Sequence, residues 1–409
     1  MNYSEAYELL KKHDQTHILK YYDELSGSEQ ENLLAQIEKL DFSLLDLLKE
    51  GNSPAAKRGQ FAPLGAMSTR EIEENRESLT EAGLAAIRAG KTAAVLLAGG
   101  QGTRLGFDKP KGLYNVGETR DLYIFECLIN NLMDVVRAAG RFIPLYIMTS
   151  EINYEDTVSF FREKAYFGYD PESIRFFIQD MAPCVGYNGK ILMEAKGKIA
   201  VSPNGNGGWY QSMIKAGLAQ ELTEKGIEYI SVFGVDNVCV RINDPAWTGA
   251  VFTSGCDCGG KVVRKNDPNE RVGVLCLEDG KPSIVEYYEM TDDMITLRDA
   301  DGELSYAFGV ILNYYFKVSR LNEIADGKMM VHIVEKKIPY IDENGEPVRP
   351  EAPNGYKFEL LVLDLIHMMD SCLSYEVVRE KEFAPIKNAT GVDSVVSAKE
   401  RLKKNGVVL

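Results

Sequence analysis

A glycine-rich segment with three nearby cations dominates the chemistry that this sequence could perform. Residues 97–106 read LAGGQGTRLG, and residues 109–112 read KPKG. Glycines let a backbone approach a ligand closely and present its N–H groups, while Arg104, Lys109 and Lys111 supply positive charge for phosphate oxygens. The segment therefore predicts a loop that binds a nucleoside triphosphate.

The spacing of this segment excludes two common phosphate-binding loops. No window supplies the G-x-x-x-x-G-K-[ST] pattern of a P-loop. The dinucleotide pattern G-x-G-x-x-G also fails, because Gly106 comes one residue too late after Gly100 and Gly102. An NAD-dependent oxidoreductase is therefore disfavoured. A turn without a ligand is the remaining alternative, but so many glycines and cations exceed what a short connection requires.

Strand and helix patterns alternate from residue 91 onward, and these elements must position the loop. The apolar strand candidates are Ala93–Leu97, Ile143–Thr149, Ile174–Gln179 and Tyr229–Val235, and the helical stretches between them are Leu122–Ala139, Tyr154–Phe167 and Tyr210–Lys225. This alternation predicts a doubly wound, mostly parallel, Rossmann-like α/β sheet. Ligands bind beyond the carboxyl ends of such strands, and the glycine-rich segment, Gln179 and Asp236 all follow strand ends.

The pattern differs on either side of this alternating region. Residues 1–90 predict helices, with capping boxes at Ser28-x-x-Glu31 and Ser68-x-x-Glu71. Beyond about residue 256, short strand candidates joined by turns predict an antiparallel elaboration. Those candidates are Val272–Leu277, Ser283–Tyr288 and Gly309–Phe316, with turns at Asp279-Gly280 and Asp301-Gly302 and a further hairpin at Asn344-Gly345.

Composition narrows the class of protein. The formal charge of −15 over 409 residues argues against nonspecific nucleic-acid binding. The sequence contains no run of about 18 uncharged apolar residues, so no membrane span is predicted. The charged N-terminus lacks the apolar stretch of a signal peptide. A cytoplasmic location is therefore expected. Seven cysteines at irregular spacing and four histidines make a zinc site improbable.

The sequence resembles the eukaryotic-type UDP-sugar pyrophosphorylases, and among them most closely the UDP-N-acetylglucosamine pyrophosphorylases. The resemblance rests first on LAGGQGTRLG and PKG, and it extends from about Thr92 to Asn388. Further matching segments are MTSE at 148–151, SPNGNGG at 202–208, VDN at 235–237, VEY at 285–287, PNG at 353–355 and FAPIKN at 383–388.

This resemblance implies a uridylyltransferase that makes a UDP-sugar and pyrophosphate from UTP and a sugar-1-phosphate with Mg²⁺. It also implies three regions: N-terminal helices at 1–90, a nucleotidyltransferase domain with sugar-binding strands at 91–330, and a C-terminal segment at 331–409 that completes the active site. The implied catalytic residues are Arg104, Lys111 and Lys387. The implied nucleotide contacts are Leu97, Ala98, Gly99, Gly100, Gln179, Gly205, Asp236 and Lys357. The implied sugar contacts are Asn206, Gly273, Glu286 and Tyr287.

The residue types suit these roles. The strand-end carboxylate of Asp236 is the expected ligand of Mg²⁺, and the amide of Gln179 can both donate to and accept from a uracil edge. Val310 stands where the family has an asparagine near the sugar. The expected acceptor is N-acetylglucosamine-1-phosphate; the alternatives are glucose-1-phosphate, galactose-1-phosphate, or a noncatalytic nucleotide-sugar sensor. The oligomeric state stays open.

Overall fold

The computed structural model describes residues 1–49, 58–327 and 329–409. The chain forms two compact units, each built from three stretches of sequence. The first unit comprises Met1–Arg58, Asp180–Gly208 and Met329–Leu361, and the second comprises Gly59–Gln179, Trp209–Lys328 and Val362–Leu409. The boundaries of these two units differ from those of the three predicted regions, 1–90, 91–330 and 331–409. The functional division into those three regions stays a prediction.

The strands and helices within the described ranges are as follows. The strands are β1 Phe61–Pro63, β2 Thr92–Leu97, β3 Leu145–Thr149, β4 Ile174–Ile178, β5 Met181–Pro183, β6 Val185–Gly186, β7 Met193–Ala195, β8 Lys198–Ile199, β9 Val201–Pro203, β10 Tyr229–Gly234, β11 Cys258–Arg264, β12 Val274–Glu278, β13 Lys281–Val285, β14 Phe308–Lys317, β15 His332–Lys336, β16 Tyr340–Ile341, β17 Pro347–Val348, β18 Gly355–Glu359 and β19 Cys372–Glu376. The α-helices are α1 Tyr3–Lys12, α2 Gly27–Glu38, α3 Ser43–Lys49, α4 Thr69–Glu74, α5 Arg76–Arg88, α6 Ile124–Ala139, α7 Tyr154–Glu163, α8 Trp209–Lys215, α9 Leu218–Glu224, α10 Pro245–Ser254, α11 Asp292–Thr296, α12 Val318–Ile324, α13 Val362–His367, α14 Arg379–Glu382 and α15 Val395–Lys404.

A ten-stranded sheet organises the second unit, with the parallel strands β10, β2, β3 and β4 side by side. Their carboxyl ends are in register, because Leu97 lies opposite both Gly234 and Met148. Strands β2 and β3 are fully buried, as expected for central parallel strands covered on both faces. The predicted α/β class with its parallel core is confirmed.

The strands of this sheet beyond the parallel core pair mostly antiparallel. Strand β14 pairs antiparallel with β10, β11 and β12, and β12 forms a hairpin with β13 through the predicted Asp279-Gly280 turn. The register of β11 against β14 shifts between Gly260 and Val262, and Leu312 near this shift has a left-handed φ of 53°. The predicted antiparallel elaboration is therefore confirmed.

The described strands of the first unit form three small antiparallel pairs and a three-stranded sheet, β15-β18-β6. Helices α1 and α2 contribute their apolar faces to its core, through residues such as Leu10 and Leu33. One of its pairs is the predicted hairpin at Asn344-Gly345, where Gly345 has a φ of 81°.

Several predicted element ends differ from the structure. The capping box of α2 is formed by Ser26 and Glu29 rather than by Ser28 and Glu31, because the helix begins at Gly27. The predicted box at Ser68 is confirmed.

Two predicted helices are also shorter than expected. Helix α7 ends at Glu163, since Tyr166 and Phe167 adopt positive φ values. The predicted helix 210–225 is two helices, α8 and α9, separated where Gly217 has a φ of 73°. None of the helices described is long and apolar enough to cross a membrane.

Candidate active site

The glycine-rich segment forms a closed loop at the carboxyl end of β2. Leu97 is the buried last residue of that strand, and the N–H of Ala98 donates to the carbonyl of Met148 at the end of β3. Further along, the N–H of Gly102 donates to Lys109 O at 3.0 Å and that of Lys111 donates to Gly100 O at 3.2 Å. These bonds join the two limbs of the loop and bring Lys111 back beside its glycines.

Lys111 and Asp236 form an ion pair at the same edge of the sheet. Nζ of Lys111 lies 2.5 Å from Oδ1 of Asp236. The lysine side chain is 7% exposed, whereas the aspartate side chain is 41% exposed. The carboxylate of Asp236 is therefore accessible to solutes, whereas the side chain of Lys111 is buried in the protein.

Gln179 lies against the glycine loop from the end of β4. Its N–H donates to Thr149 O at 2.8 Å, and its side chain is buried. A Cβ at Gly99 would clash with Nε2 of Gln179, so only a glycine permits this approach. The structure thus brings together the loop and the amide that the sequence placed at two separate strand ends.

Lys387 is carried by a segment attached to the residues around Asp236. The carbonyl of Asp236 accepts the N–H of Ile386 at 2.9 Å, and Oδ1 of the buried Asn237 accepts the N–H of Ala384 at 2.9 Å. Lys387 itself is partly exposed, and its Nζ lies 3.0 Å from Oδ2 of Asp393.

The remaining cations of the loop are exposed. Arg104 lies in a short 3₁₀ turn, Thr103–Leu105, and makes no ion pair with any residue that the structure describes. Lys109 pairs with Asp156 in the first turn of α7 at 3.4 Å. Arg104 is therefore available to an anionic ligand without first breaking an ion pair to any of the described residues.

The predicted sugar contacts of the second unit lie around the β12–β13 hairpin. A Cβ at Gly273 would lie 3.3 Å from Oε1 of Glu286, and the carbonyl of Gly273 accepts the N–H of Val310 at 2.9 Å. Tyr287 follows Glu286, is 42% exposed and contacts Tyr288 edge to face. Gly273, Glu286 and Val310 are thus neighbours in the structure, and their contact with a sugar stays a prediction.

The first unit holds the other three predicted contacts, Gly205, Asn206 and Lys357. Gly205 has a φ of 89°, and a Cβ there would clash with the carbonyl of Leu360. The turn is fixed to Leu360 by two backbone bonds, from Leu360 N–H to Asn204 O and from Gly207 N–H to Leu360 O. Lys357 is a half-buried residue of β18.

Comparison with known proteins identifies the group to which this arrangement belongs. The model of the family described as UTP–glucose-1-phosphate uridylyltransferase matches residues 51–408. The chain belongs to this family. It is therefore a nucleotidyltransferase of the UDP-sugar pyrophosphorylase type, a family that acts on UTP and a sugar-1-phosphate to give a UDP-sugar and pyrophosphate. The family, fold and reaction class predicted from the sequence are confirmed.

Individual relatives agree with this assignment. The chain is 36% identical to mouse "UDP-N-acetylhexosamine pyrophosphorylase-like protein 1", covering 94% of this chain and 80% of the relative. It is 34% identical to the UDP-N-acetylglucosamine pyrophosphorylase of Saccharomyces cerevisiae, covering 92% and 84%. The structure of the Trypanosoma brucei uridine diphosphate N-acetylglucosamine pyrophosphorylase with an inhibitor matches with a TM-score of 0.81 at 28% identity, covering 97% and 83%.

Sequence reasoning missed several residues that hold the elements of this candidate site in place. Asn153, just before α7, contacts the glycine loop, and Asn237 ties the 382–386 segment to the end of β10. Glu382, the first residue of that segment, forms a buried ion pair with Lys261, with Nζ to Oε2 at 2.6 Å. Burial raises the pKa of the Glu382 carboxyl, although Lys261 opposes the shift. The available signal for Asn153 was its position just beyond the carboxyl end of β3, the edge that binds ligands.

Proposed function

We propose that this uridylyltransferase transfers the uridylyl group of UTP to N-acetylglucosamine-1-phosphate, releases pyrophosphate and requires Mg²⁺. The acetylated acceptor is supported by relatives at 34–36% identity whose names specify N-acetylhexosamine or N-acetylglucosamine. The observation that carries the nucleotide half is the Lys111–Asp236 pair at 2.5 Å beside the glycine loop.

The proposed reaction is an in-line displacement at phosphorus. A phosphate oxygen of the sugar-1-phosphate attacks the α-phosphorus of UTP, and a new P–O bond forms. The bond from that phosphorus to the oxygen bridging to the β-phosphate breaks, and its electron pair leaves with pyrophosphate. Because the nucleophile is already an anion, no general base is required, and catalysis depends on positioning and charge neutralisation.

The cations of the second unit fit this requirement. Lys111 would neutralise charge on the triphosphate from a nearly dry position, which strengthens its electrostatic effect. Arg104, exposed in the loop, would bind the departing pyrophosphate, and Lys387 would bind the sugar phosphate. Leu97, Ala98, Gly99 and Gly100 would line the nucleotide.

The other contacts keep their predicted roles within this proposal. Gln179 would read the uracil edge, with Gly205 against the uridine and Lys357 on the nucleotide phosphates. Asn206, Gly273, Glu286 and Tyr287 would bind the sugar, where a carboxylate such as Glu286 can accept hydrogen bonds from sugar hydroxyls.

The donor set of the site fits Mg²⁺ that arrives with the nucleotide. Among the described residues, no group of three or more His, Cys, Asp or Glu side chains could hold a metal ion by itself. Mg²⁺ usually keeps several waters and binds one or two carboxylates plus substrate phosphates. The partly exposed carboxylate of Asp236 would serve as that protein ligand, and the bound ion would neutralise phosphate charge. The predicted cytoplasmic location belongs to the same proposal.

The test is pyrophosphate release from UTP with a panel of sugar-1-phosphates, in Mg²⁺ and with EDTA as the control. N-acetylglucosamine-1-phosphate should give the highest kcat/KM, and EDTA should abolish release without unfolding the protein. Preference for glucose- or galactose-1-phosphate would refute the acceptor and leave the mechanism. UTP binding without release on any acceptor would refute catalysis and favour a nucleotide-sugar sensor.

A further inference from the structure

We propose that Asn153 is a positioning residue for the nucleotide, because its side-chain amide fixes two successive peptide groups of the glycine loop with their N–H groups toward the ligand. The proposal rests on the proposed function, since it takes UTP as the ligand of this loop. No part of it requires Asn153 to touch the substrate.

The contacts of Asn153 define a bracket, by which we mean its side-chain amide bound to Gly99, Gly100 and Gln101. Asn153 is fully buried. Its Nδ2 donates to the carbonyl of Gly99 at 2.8 Å and to that of Gly100 at 3.2 Å, and its Oδ1 accepts from Nε2 of Gln101. The atom facing two carbonyl oxygens must be the nitrogen, since only the NH₂ group of the amide can donate.

The bracket has a direct consequence for the direction of the loop N–H groups. In a trans peptide the C=O and the N–H point in opposite directions. Holding the carbonyls of Gly99 and Gly100 on one side therefore turns the N–H groups of Gly100 and Gln101 to the other side. Successive N–H groups on one side form a concave site for anions.

Those N–H groups are available to a ligand. Within the described parts of the chain, the backbone N–H groups of Gly99, Gly100 and Gln101 have no hydrogen-bond acceptor. Gly100 is exposed, and Gly99 and Gln101 are partly exposed. Three consecutive free donors, in a loop that also carries Arg104, match the needs of a phosphate group.

Helix α7 gives a second, independent indication. Asn153 occupies its N-cap position, where an asparagine side chain would normally accept an N–H of the first turn and contribute about 1 kcal/mol to stability. No such capping bond is made, and the side chain turns to the glycine loop instead. The same helix binds the other limb of the loop through the pair of Asp156 and Lys109. The side chain of Asn153 thus holds the glycine loop instead of capping the N-terminus of α7.

The variant Asn153→Asp tests the bracket. It keeps the shape of the side chain and its acceptor for Gln101, but it places an oxygen opposite two carbonyl oxygens, which repels both peptides. We expect UTP affinity, measured by calorimetry, to fall about 10- to 100-fold, with a matching rise in the KM for UTP. The KM for the sugar-1-phosphate should change less than twofold.

Asn405→Asp is the matched control. Nδ2 of Asn405 also donates to two successive carbonyls, those of Glu380 at 3.1 Å and Lys381 at 3.3 Å, away from the glycine loop. This variant should bind UTP like the wild type. Asn153→Ala, which removes the donor without adding repulsion, should show a smaller loss of UTP affinity than Asn153→Asp.

The outcomes separate the two proposals. If the wild type neither binds UTP nor releases pyrophosphate, the proposed function fails and the positioning role fails with it. If the wild type is active and Asn153→Asp matches it in UTP affinity, only the positioning role is wrong. A fall in melting temperature together with a rise in both KM values, equal in the Asp and Ala variants, would also overturn it by showing a purely structural role.

Discussion

The Lys111–Asp236 pair allows stability and catalysis to be separated by one substitution, Lys111→Met. Methionine retains most of the buried stem of the lysine, so little cavity is expected. The partner carboxylate is 41% exposed, so solvent screens the pair and the lost ion pair should cost only about 1 kcal/mol of unfolding free energy. Under the proposed function, in contrast, the transition state loses a cation that would lie beside the phosphates on a side chain only 7% exposed. We expect kcat/KM to fall about 10²- to 10³-fold, equivalent to about 3–4 kcal/mol.

The assay combines steady-state pyrophosphate release with urea denaturation of the same preparations. Lys403→Met is the matched control, because Lys403 also pairs with a carboxylate, Glu118 at 2.6 Å, with both side chains exposed. The control should change neither quantity beyond a small margin. Activity of Lys111→Met within threefold of the wild type would refute the role assigned to the lysine. A stability loss as large as the kinetic loss would refute the separation of the two effects.

Two other substitutions should give results of different kinds. Lys261→Met leaves the buried carboxylate of Glu382 without its cation and should cost about 3–5 kcal/mol of unfolding free energy, measured in urea. Burial already raises the pKa of Glu382, so the folded variant takes up a proton more readily than the unfolded chain. The variant's loss of unfolding free energy relative to the wild type should therefore shrink as the pH falls from about 8 to about 5.5. A loss that stays constant over this range would contradict the prediction. In Gly99→Ala the new methyl group must displace the side chain of Gln179, so kcat/KM for UTP should fall at least about tenfold. Gly140→Ala, a control outside the site, should alter only stability.

The strand ends of the parallel core were predictable because two simple signals agree there. Apolar runs such as TAAVLL can be buried on both faces, and each is followed by turn or polar residues. The parallel register then places the ends of β2, β3, β4 and β10 at one edge, which is why Lys111 meets Asp236 and Gly99 meets Gln179. Local pattern and topology were sufficient for this part of the site.

Helix ends and compact units were less predictable because tertiary contacts decide them. Both Ser26 and Ser28 are followed three residues later by glutamate, and sequence spacing alone cannot say which serine caps α2. The first unit assembles three distant stretches of chain around one core, including Leu33 and Phe358. Such packing depends on contacts between residues far apart in sequence, which no local pattern encodes.

The supporting residues of the site share a physical reason for escaping sequence analysis. Asn153 looks like an ordinary N-cap, and Lys261 looks like a charged residue in a strand, where exposure would be the usual expectation. Each acts by burying a polar group whose partner lies far away in sequence, the glycine loop for Asn153 and Glu382 for Lys261. A buried donor is tolerated only where a partner is fixed, so these side chains and the backbone they hold constrain each other. The residues that would contact phosphate can therefore be inferred from their chemistry, whereas those that orient them become visible only when the fold brings their partners together.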